Sequence, residues 1–231
     1  MTTIGANLQS VRTLMATACE TAGRSVEDVT LLAVSKTFGP EAVREAHAAG
    51  QTAFGENYIQ EAVEKMALLA DLPLTWHCIG PIQSNKTRLV AAHFDWAHTV
   101  DRLKIAQRLS EQRPEGLAPL QVCIQVNIDG GATKAGVAPA EAMALAREVM
   151  ALPRLRLRGL MTIPEPVPDH AAQRAVHEKA RALFDRLCAE GLPLDTLSMG
   201  MTADLQAAIE AGSTLVRVGT AIFGGRHYAA R

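Results

Sequence analysis

The chain has 231 residues, 48% of them hydrophobic and 20% charged, which suits one globular domain with a sizeable core and requires no second one. Its 23 lysines and arginines against 24 aspartates and glutamates leave a formal charge of -1, so nothing electrostatic favours a nucleic acid or an acidic membrane as partner, and an anionic ligand must be held locally. The four cysteines lack C-x-x-C spacing and read as reduced thiols, no run of 18 uncharged apolar residues occurs, and the first residues show no basic region followed by an apolar stretch, so a soluble, cytoplasmic protein is expected.

Residues 4 to 22 place Ile4, Leu8, Val11, Leu14, Met15 and Ala18 at three- and four-residue spacing before Gly23, which predicts an amphipathic helix. Eight short apolar runs follow, near 30 to 36, 52 to 56, 74 to 80, 95 to 100, 119 to 128, 155 to 163, 195 to 201 and 215 to 223. Helical patterns separate them. Pro40 opens one that closes at Gly50, and Asn57 can cap the next with Gln60 three residues on. Ser84, Asp101, Pro139, Asp169 and Asp204 start the others, the last of which closes at Gly212. Strands alternating with helices pair in parallel through right-handed crossovers, and eight such units predict closure. The expected fold is an α/β, single-domain (β/α)8 TIM barrel over about residues 30 to 225, with an extra N-terminal helix over about 4 to 22. The proline-rich loop from Ile163 to Asp169 reads either as a rigid rim of the barrel mouth or as a plain surface connection.

Lys36 ends the first apolar run, and Gly39-Pro40 starts a helix at once, so its amine is expected at the carboxyl end of a strand. That is where α/β folds keep their chemistry. A lysine beside low-dielectric walls can lose its proton and attack a carbonyl, the plain alternative being a solvated lysine that closes a strand. At the far end of the chain, Val216-Arg217-Val218 alternates so that Arg217 faces the barrel interior if the valines face the helices. A guanidinium there needs a partner, either a carboxylate such as Glu56 at the end of strand two or a ligand buried in the mouth. Lys36 shares parity with Leu32 and Val34, which turns it inward too, and strands one and eight are neighbours in a closed barrel.

Loops after strands seven and eight often hold phosphate in such barrels. Here they are Ser198-Met199-Gly200-Met201-Thr202, with a hydroxyl and a glycine, and Gly219-Thr220, where the glycine admits the backbone and the threonine adds a donor. A small aldehyde carrying a phosphate fits this combination, and pyridoxal 5'-phosphate is the candidate. Lys36 would form the Schiff base, the two loops would hold the phosphate, and Arg217 would face the pyridine nitrogen. Arginine, always charged, would leave that nitrogen unprotonated, whereas a carboxylate would make the ring a strong electron sink.

These residues resemble those of the pyridoxal phosphate homeostasis proteins, single-domain relatives of the barrel half of bacterial alanine racemase. The matching segments are Val34-Ser35-Lys36-Thr37, Phe54-Gly55-Glu56-Asn57-Tyr58, the run from Trp76 to Lys86, Arg158-Gly159-Leu160-Met161, Leu197-Ser198-Met199-Gly200-Met201 and Val216 to Gly224. The resemblance implies that Lys36 carries the cofactor, Asn57 lies near the ring hydroxyl, Arg217 faces the ring nitrogen, and Ser198, Gly219 and Thr220 hold the phosphate. Two departures stand out. The family often has a second lysine two positions after the first, where this chain has Phe38, and the loop Gly131 to Gly136 alters the family's Lys-x-Gly loop while retaining Lys134.

Three functions follow as expectations: a non-catalytic carrier that buffers pyridoxal phosphate and releases it to apo-enzymes, an amino-acid racemase using the same cofactor, or a sugar-phosphate barrel without one. A racemase needs a base on each face of its substrate. The related racemases take their second base, a tyrosine, from a separate β-domain of a partner subunit, and past strand eight this chain leaves no length for one. Only Tyr58 and Tyr228 are available, so the carrier is favoured. His77 reads as a satisfied core histidine rather than a wall of the ring site. The seven histidines lack metal-ligand spacing and nothing pairs Ser, His and Asp, so neither zinc chemistry nor a nucleophilic triad is expected. Met143, Met150, Met161, Met199 and Met201 read as space-filling. No exposed apolar face can be picked out, and a monomer or weak dimer is expected.

Overall fold

Parallel strands cannot be joined by a tight turn, so each apolar run must be followed by a segment that carries the chain back outside the sheet. A computed structural model describes residues 3–131 and 135–225, and in it that alternation closes into a barrel. The strands are β1 (Thr30–Val34), β2 (Ala53–Glu56), β3 (Thr75–Cys78), β4 (Trp96–Val100), β5 (Leu120–Gln125), β6 (Leu155–Met161), β7 (Thr196–Ser198) and β8 (Leu215–Val218). The helices are α1 (Thr3–Thr21), α2 (Pro40–Ala48), α3 (Ile59–Ala67), α4 (Thr87–His93), α5 (Leu103–Gln112), α6 (Ala142–Met150), α7 (His170–Ala189), α8 (Leu205–Glu210) and α9 (Thr220–Phe223). Every strand pairs in parallel with the next, and β1 closes on β8 with Leu32 opposite Arg217. Among the described residues no helix is long and apolar enough to cross a membrane.

The extra helix α1 has a structural task. Leu8, Val11, Met15, Ala18 and Cys19 form its buried stripe. Asn7 donates from Nδ2 to the carbonyl of Ile222 at 2.9 Å, and Arg24, just beyond the helix, donates to the carbonyls of Ile209 and Ser213 at 2.8 Å. The helix therefore covers the seam where the first and last strands meet.

Strand alternation divides the buried side chains into two layers. Ala33, Phe54, Trp76, Cys78, Leu197, Val216 and Val218 point outward to the helices. Leu32, Val34, Ile79 and Leu215 form a separate small cluster inside the barrel, and Gly55 faces it, since a Cβ there would lie 3.0 Å from Leu32 and 3.1 Å from Ile79. The other side of the interior is polar and holds His77, His98, Ser198 and Arg217, all buried. All four cysteines are free; burial pushes the thiols of Cys78 and Cys123 up to about 12, so neither is a nucleophile.

Some local start signals hold and others yield to tertiary contacts. Asp169 caps α7 by accepting from the N–H of Ala172 at 2.8 Å. Ser84 and Pro139 each open a 3-10 turn that leads into α4 and α6. Asn57 is not a cap: α3 starts at Ile59 after Tyr58 and has no side-chain cap, which frees Asn57 for the barrel mouth. Asp101 likewise bonds Arg102 at 2.8 Å instead of capping α5. Of the five methionines expected to fill space, Met161 and Met199 are buried, whereas Met150 and Met201 are exposed.

Gly200 turns the chain out of β7. Its φ is +95°, and a Cβ there would lie 2.4 Å from that of Ala208 in α8. Gly200→Ala should therefore destabilise the protein by about 2 to 4 kcal/mol through backbone strain and overpacking, read as a shift in the urea unfolding midpoint.

Candidate functional site at the barrel mouth

At the carboxyl ends of the strands lies a cavity of about 300 Å³, lined by Lys36, Asn57, Thr202, Arg217, Gly219 and Thr220 together with apolar residues that include Val34, Ile79 and Ile163. A second lobe of about 240 Å³ adjoins it through the shared Asn57, Ile79 and Ile163 and reaches Thr99 and Gln125. The two fall near the lower end of the size range of small-molecule clefts. Five of the six expected site residues meet here: Lys36, Asn57, Arg217, Gly219 and Thr220. Ile163, from the proline-rich loop, does form part of the rim.

Lys36 sits two residues past β1, half-buried, in a turn with unusual backbone. Thr37 has φ +68°, uncommon for a β-branched residue. The turn is held from outside the barrel. Ser35 Oγ donates to Glu56 Oε1 at 2.7 Å, and Lys65 Nζ on α3 reaches the same oxygen at 2.7 Å and the Ser35 carbonyl at 3.0 Å. The N–H of Thr37 donates to Glu61 at 3.2 Å. Burial raises the Glu56 carboxyl above the usual carboxylate range, against the pull of Lys65 and Ser35. Glu56 therefore does not pair with Arg217, contrary to one of the two sequence expectations; it lies on the outward face of β2 and belongs to the brace behind Lys36.

Arg217 points inward, as parity predicts, and is 4% exposed. Its Nη1 donates to Ser198 Oγ at 2.8 Å and its Nη2 to the Thr162 carbonyl at 2.9 Å. Burial pushes its pKa down to about 10, which leaves it charged at neutral pH. Protein partners on one side and a cavity on the other hold the guanidinium at the floor of the mouth.

Ser198 departs from its expected place. It is the last residue of β7, fully buried, with its hydroxyl bonded to Arg217 and, at 2.9 Å, to His98 Nδ1, so it supports Arg217 from below and does not line the cavity. The hydroxyl that reaches the cavity from this loop is that of Thr202, beyond the turn at Gly200. Its signal was position: the side chain on the far side of a glycine turn, not the last residue of the strand. Ser198 and His98 do meet, but the hydroxyl faces a fixed cation and no carboxylate orients His98 among the described residues, so the pair is no triad. His77 is buried, bonds His98 Nδ1 to Nε2 at 2.9 Å and lines the opposite end of the barrel, as a core histidine does.

The loop that carries Thr202 has its own brace. Asp204 Oδ1 accepts from the N–H of Met201 at 2.7 Å, and Oδ2 accepts from His177 Nε2 of α7 at 2.8 Å. Burial alone would raise Asp204, but these bonds and the charge of Arg217 hold its carboxyl below the usual range. Across the mouth, Asn57 has a buried Oδ1 with no hydrogen-bond partner among the described residues, and Gly80 lets the segment after β3 approach it, since a Cβ there would lie 2.2 Å from the Asn57 carbonyl. A buried acceptor without a donor is costly unless a ligand supplies one. A ring hydroxyl is such a donor, so the wall fits the phenolic oxygen of pyridoxal phosphate. Lys134 and Tyr228 lie outside the described residues.

A lysine and a buried arginine sharing a half-polar mouth at the strand ends define a small-molecule site of the (β/α)8 class. The chain belongs to the alanine racemase N-terminal domain family, whose model matches residues 6–227. It is 60% identical over 230 residues to the pyridoxal phosphate homeostasis protein of Pseudomonas aeruginosa, covering 100% of this chain and 99% of that one. The structure of PipY from Synechococcus elongatus with PLP bound is 39% identical, with a TM-score of 0.83 over 96% of this chain and all of that one. Alanine racemase from Clostridium difficile shares the fold at 16% identity and a TM-score of 0.73, and there 95% of this chain covers 57% of the racemase.

The brace behind Lys36 is open to a stability test. Lys65→Met leaves a carboxyl buried without its partner and should cost about 3 to 5 kcal/mol in urea unfolding, while adding Glu56→Leu should recover most of that loss.

Proposed function

We propose that this protein binds pyridoxal 5'-phosphate on Lys36 and serves as a non-catalytic carrier that buffers the cofactor and yields it to apo-enzymes that use it. The observation that carries the reading is the convergence of Lys36, Arg217 and the Thr202 and Gly219-Thr220 loops on one cavity. The relative named for pyridoxal phosphate homeostasis and the PLP-bound neighbour support it.

When bound, the cofactor's aldehyde supplies a reversible covalent bond to an amine. Lys36 provides that amine, its approach fixed by the Ser35–Glu56–Lys65 brace. Thr202, Thr220 and Gly219 would receive the phosphate, and Asn57 would offer the ring hydroxyl its Oδ1, which has no partner among the described residues. Ser198 takes no direct part; it holds Arg217. Arg217 would face the ring nitrogen with a donor it does not give up, which would leave that nitrogen unprotonated and weaken the ring as an electron sink.

The cavity also supports the carrier over the racemase. Among the described residues that line either lobe, Lys36 is the one side chain able to act as a base, and Tyr58 is exposed outside both. Racemisation needs a second base on the opposite face. The sugar-phosphate alternative explains the loops but gives Lys36 and Arg217 no task.

Incubation with pyridoxal phosphate should give a visible absorption band, and borohydride should fix the cofactor to Lys36, with neither effect in Lys36→Ala. A wild-type protein that takes up no cofactor would sink this reading. The same preparation should show no sustained interconversion of L- and D-alanine; turnover that collapses in Tyr58→Phe would establish the racemase instead.

A further inference from the structure

The polar side of the barrel interior is a continuous chain. Arg217 Nη1 lies 2.8 Å from Ser198 Oγ, Ser198 Oγ lies 2.9 Å from His98 Nδ1, and His98 Nε2 lies 2.9 Å from His77 Nδ1. All four side chains are buried, and they come from β8, β7, β4 and β3. His77 stacks on Trp96, with ring centroids 5.1 Å apart and planes 9° apart, and lines a basin of about 410 Å³ at the amino ends of the strands beside Thr30, Thr75, Thr196 and Thr214. The chain thus spans the barrel from one end to the other.

Its direction follows from the chemistry of its first member. Arginine only donates, so Ser198 Oγ accepts from Arg217. The hydroxyl proton of Ser198 is buried and needs an acceptor, and His98 Nδ1 is the other group bonded to that oxygen. If His98 carried its proton on Nδ1, Ser198 would accept twice and its own proton would be stranded. His98 Nδ1 therefore accepts, its proton sits on Nε2, and that N–H donates to His77 Nδ1. His77 in turn carries its proton on Nε2, its Nδ1 being the acceptor. Both rings are neutral, in keeping with burial that pushes His77 down to about 3 and His98 well below its usual value.

We propose that His98, backed by His77, is a positioning residue for Arg217: the one-way chain Arg217→Ser198→His98→His77 turns the Ser198 lone pair toward the guanidinium and fixes its height in the mouth. Each donor in the chain is polarised by the next acceptor, which strengthens the first bond. The consequence for ligand binding rests on the reading of Arg217 as a cofactor contact; the direction of the chain does not.

Two measurements test this. Nitrogen-15 NMR of the cofactor-free protein, with signals assigned from His77→Leu and His98→Leu, should show both histidines protonated on Nε2 and bare on Nδ1. A proton on His98 Nδ1 overturns the proposal. With pyridoxal phosphate added, His98→Leu and Ser198→Ala should each shift the absorption band and weaken binding by about tenfold, while His98→Asn, whose Oδ1 can replace Nδ1 as acceptor, should stay within about twofold of wild type. Equal effects of Leu and Asn at position 98, or none from either, also overturn it. Should His98→Leu not fold, Ser198→Ala and the tautomers decide. A wild type that binds no pyridoxal phosphate sinks the carrier reading alone, because the tautomers are read without cofactor.

Discussion

A guanidinium inside a closed barrel loses its water and must regain hydrogen bonds from fixed groups, since such a charge does not tolerate a dry apolar wall. Arg217 is that charge here. It divides the interior in two: an apolar half of Leu32, Val34, Ile79 and Leu215, and a polar half in which Ser198 and the Thr162 carbonyl take its protons. Ser198 is engaged on the buried side by both Arg217 and His98, so it stays below the cavity. The hydroxyl that lines the cavity from this loop is that of Thr202, beyond the turn at Gly200.

The mouth gains its rigidity from outside the barrel. On one side, Glu56 and Lys65 tie the turn after β1 to α3 and hold Thr37 in a conformation it would not choose alone. On the other, Asp204 ties the loop after β7 to His177 of α7. Both braces are charged or polar pairs between a loop and the helix packed behind it. They leave the inner side of each loop open to the cavity, so the groups that meet a ligand need not also hold the loop in place.

What could be read from the sequence was set by strand parity and by signals that act over a few residues. The eight strands, the inward turn of Arg217 and the helix start at Asp169 all rest on such local patterns. The polar chain was not legible for the opposite reason. His98 and Ser198 bond across 100 residues of sequence, and the segment Trp96-Ala97-His98-Thr99-Val100 has no clean alternation to show which face His98 takes. Asn57 carries a sound capping signal, yet α3 starts at Ile59 without a side-chain cap and Asn57 lines the cavity instead. The loop Ser198 to Thr202 has a hydroxyl at each end, and only the positive φ of Gly200, which the sequence does not display, decides that Thr202 and not Ser198 lines the cavity.

The same geometry bears on how the proposed site would hold an aldehyde. Carbanion chemistry wants a proton on the ring nitrogen and a base on each face of the substrate. Here the residue at the floor is held as a pure donor whose own acceptors are fixed by the barrel, so it has no lone pair with which to hold a ring N–H. Among the described residues the cavity presents one amine, Lys36, and its lining also includes Ile79, Ile163 and the uncharged groups of Thr99 and Gln125. A bond to Lys36 formed in that setting can be undone by a competing amine or by water, since both lobes lie at the open end of the barrel. On the proposed carrier reading, reversible retention would need no step beyond formation and release of that bond.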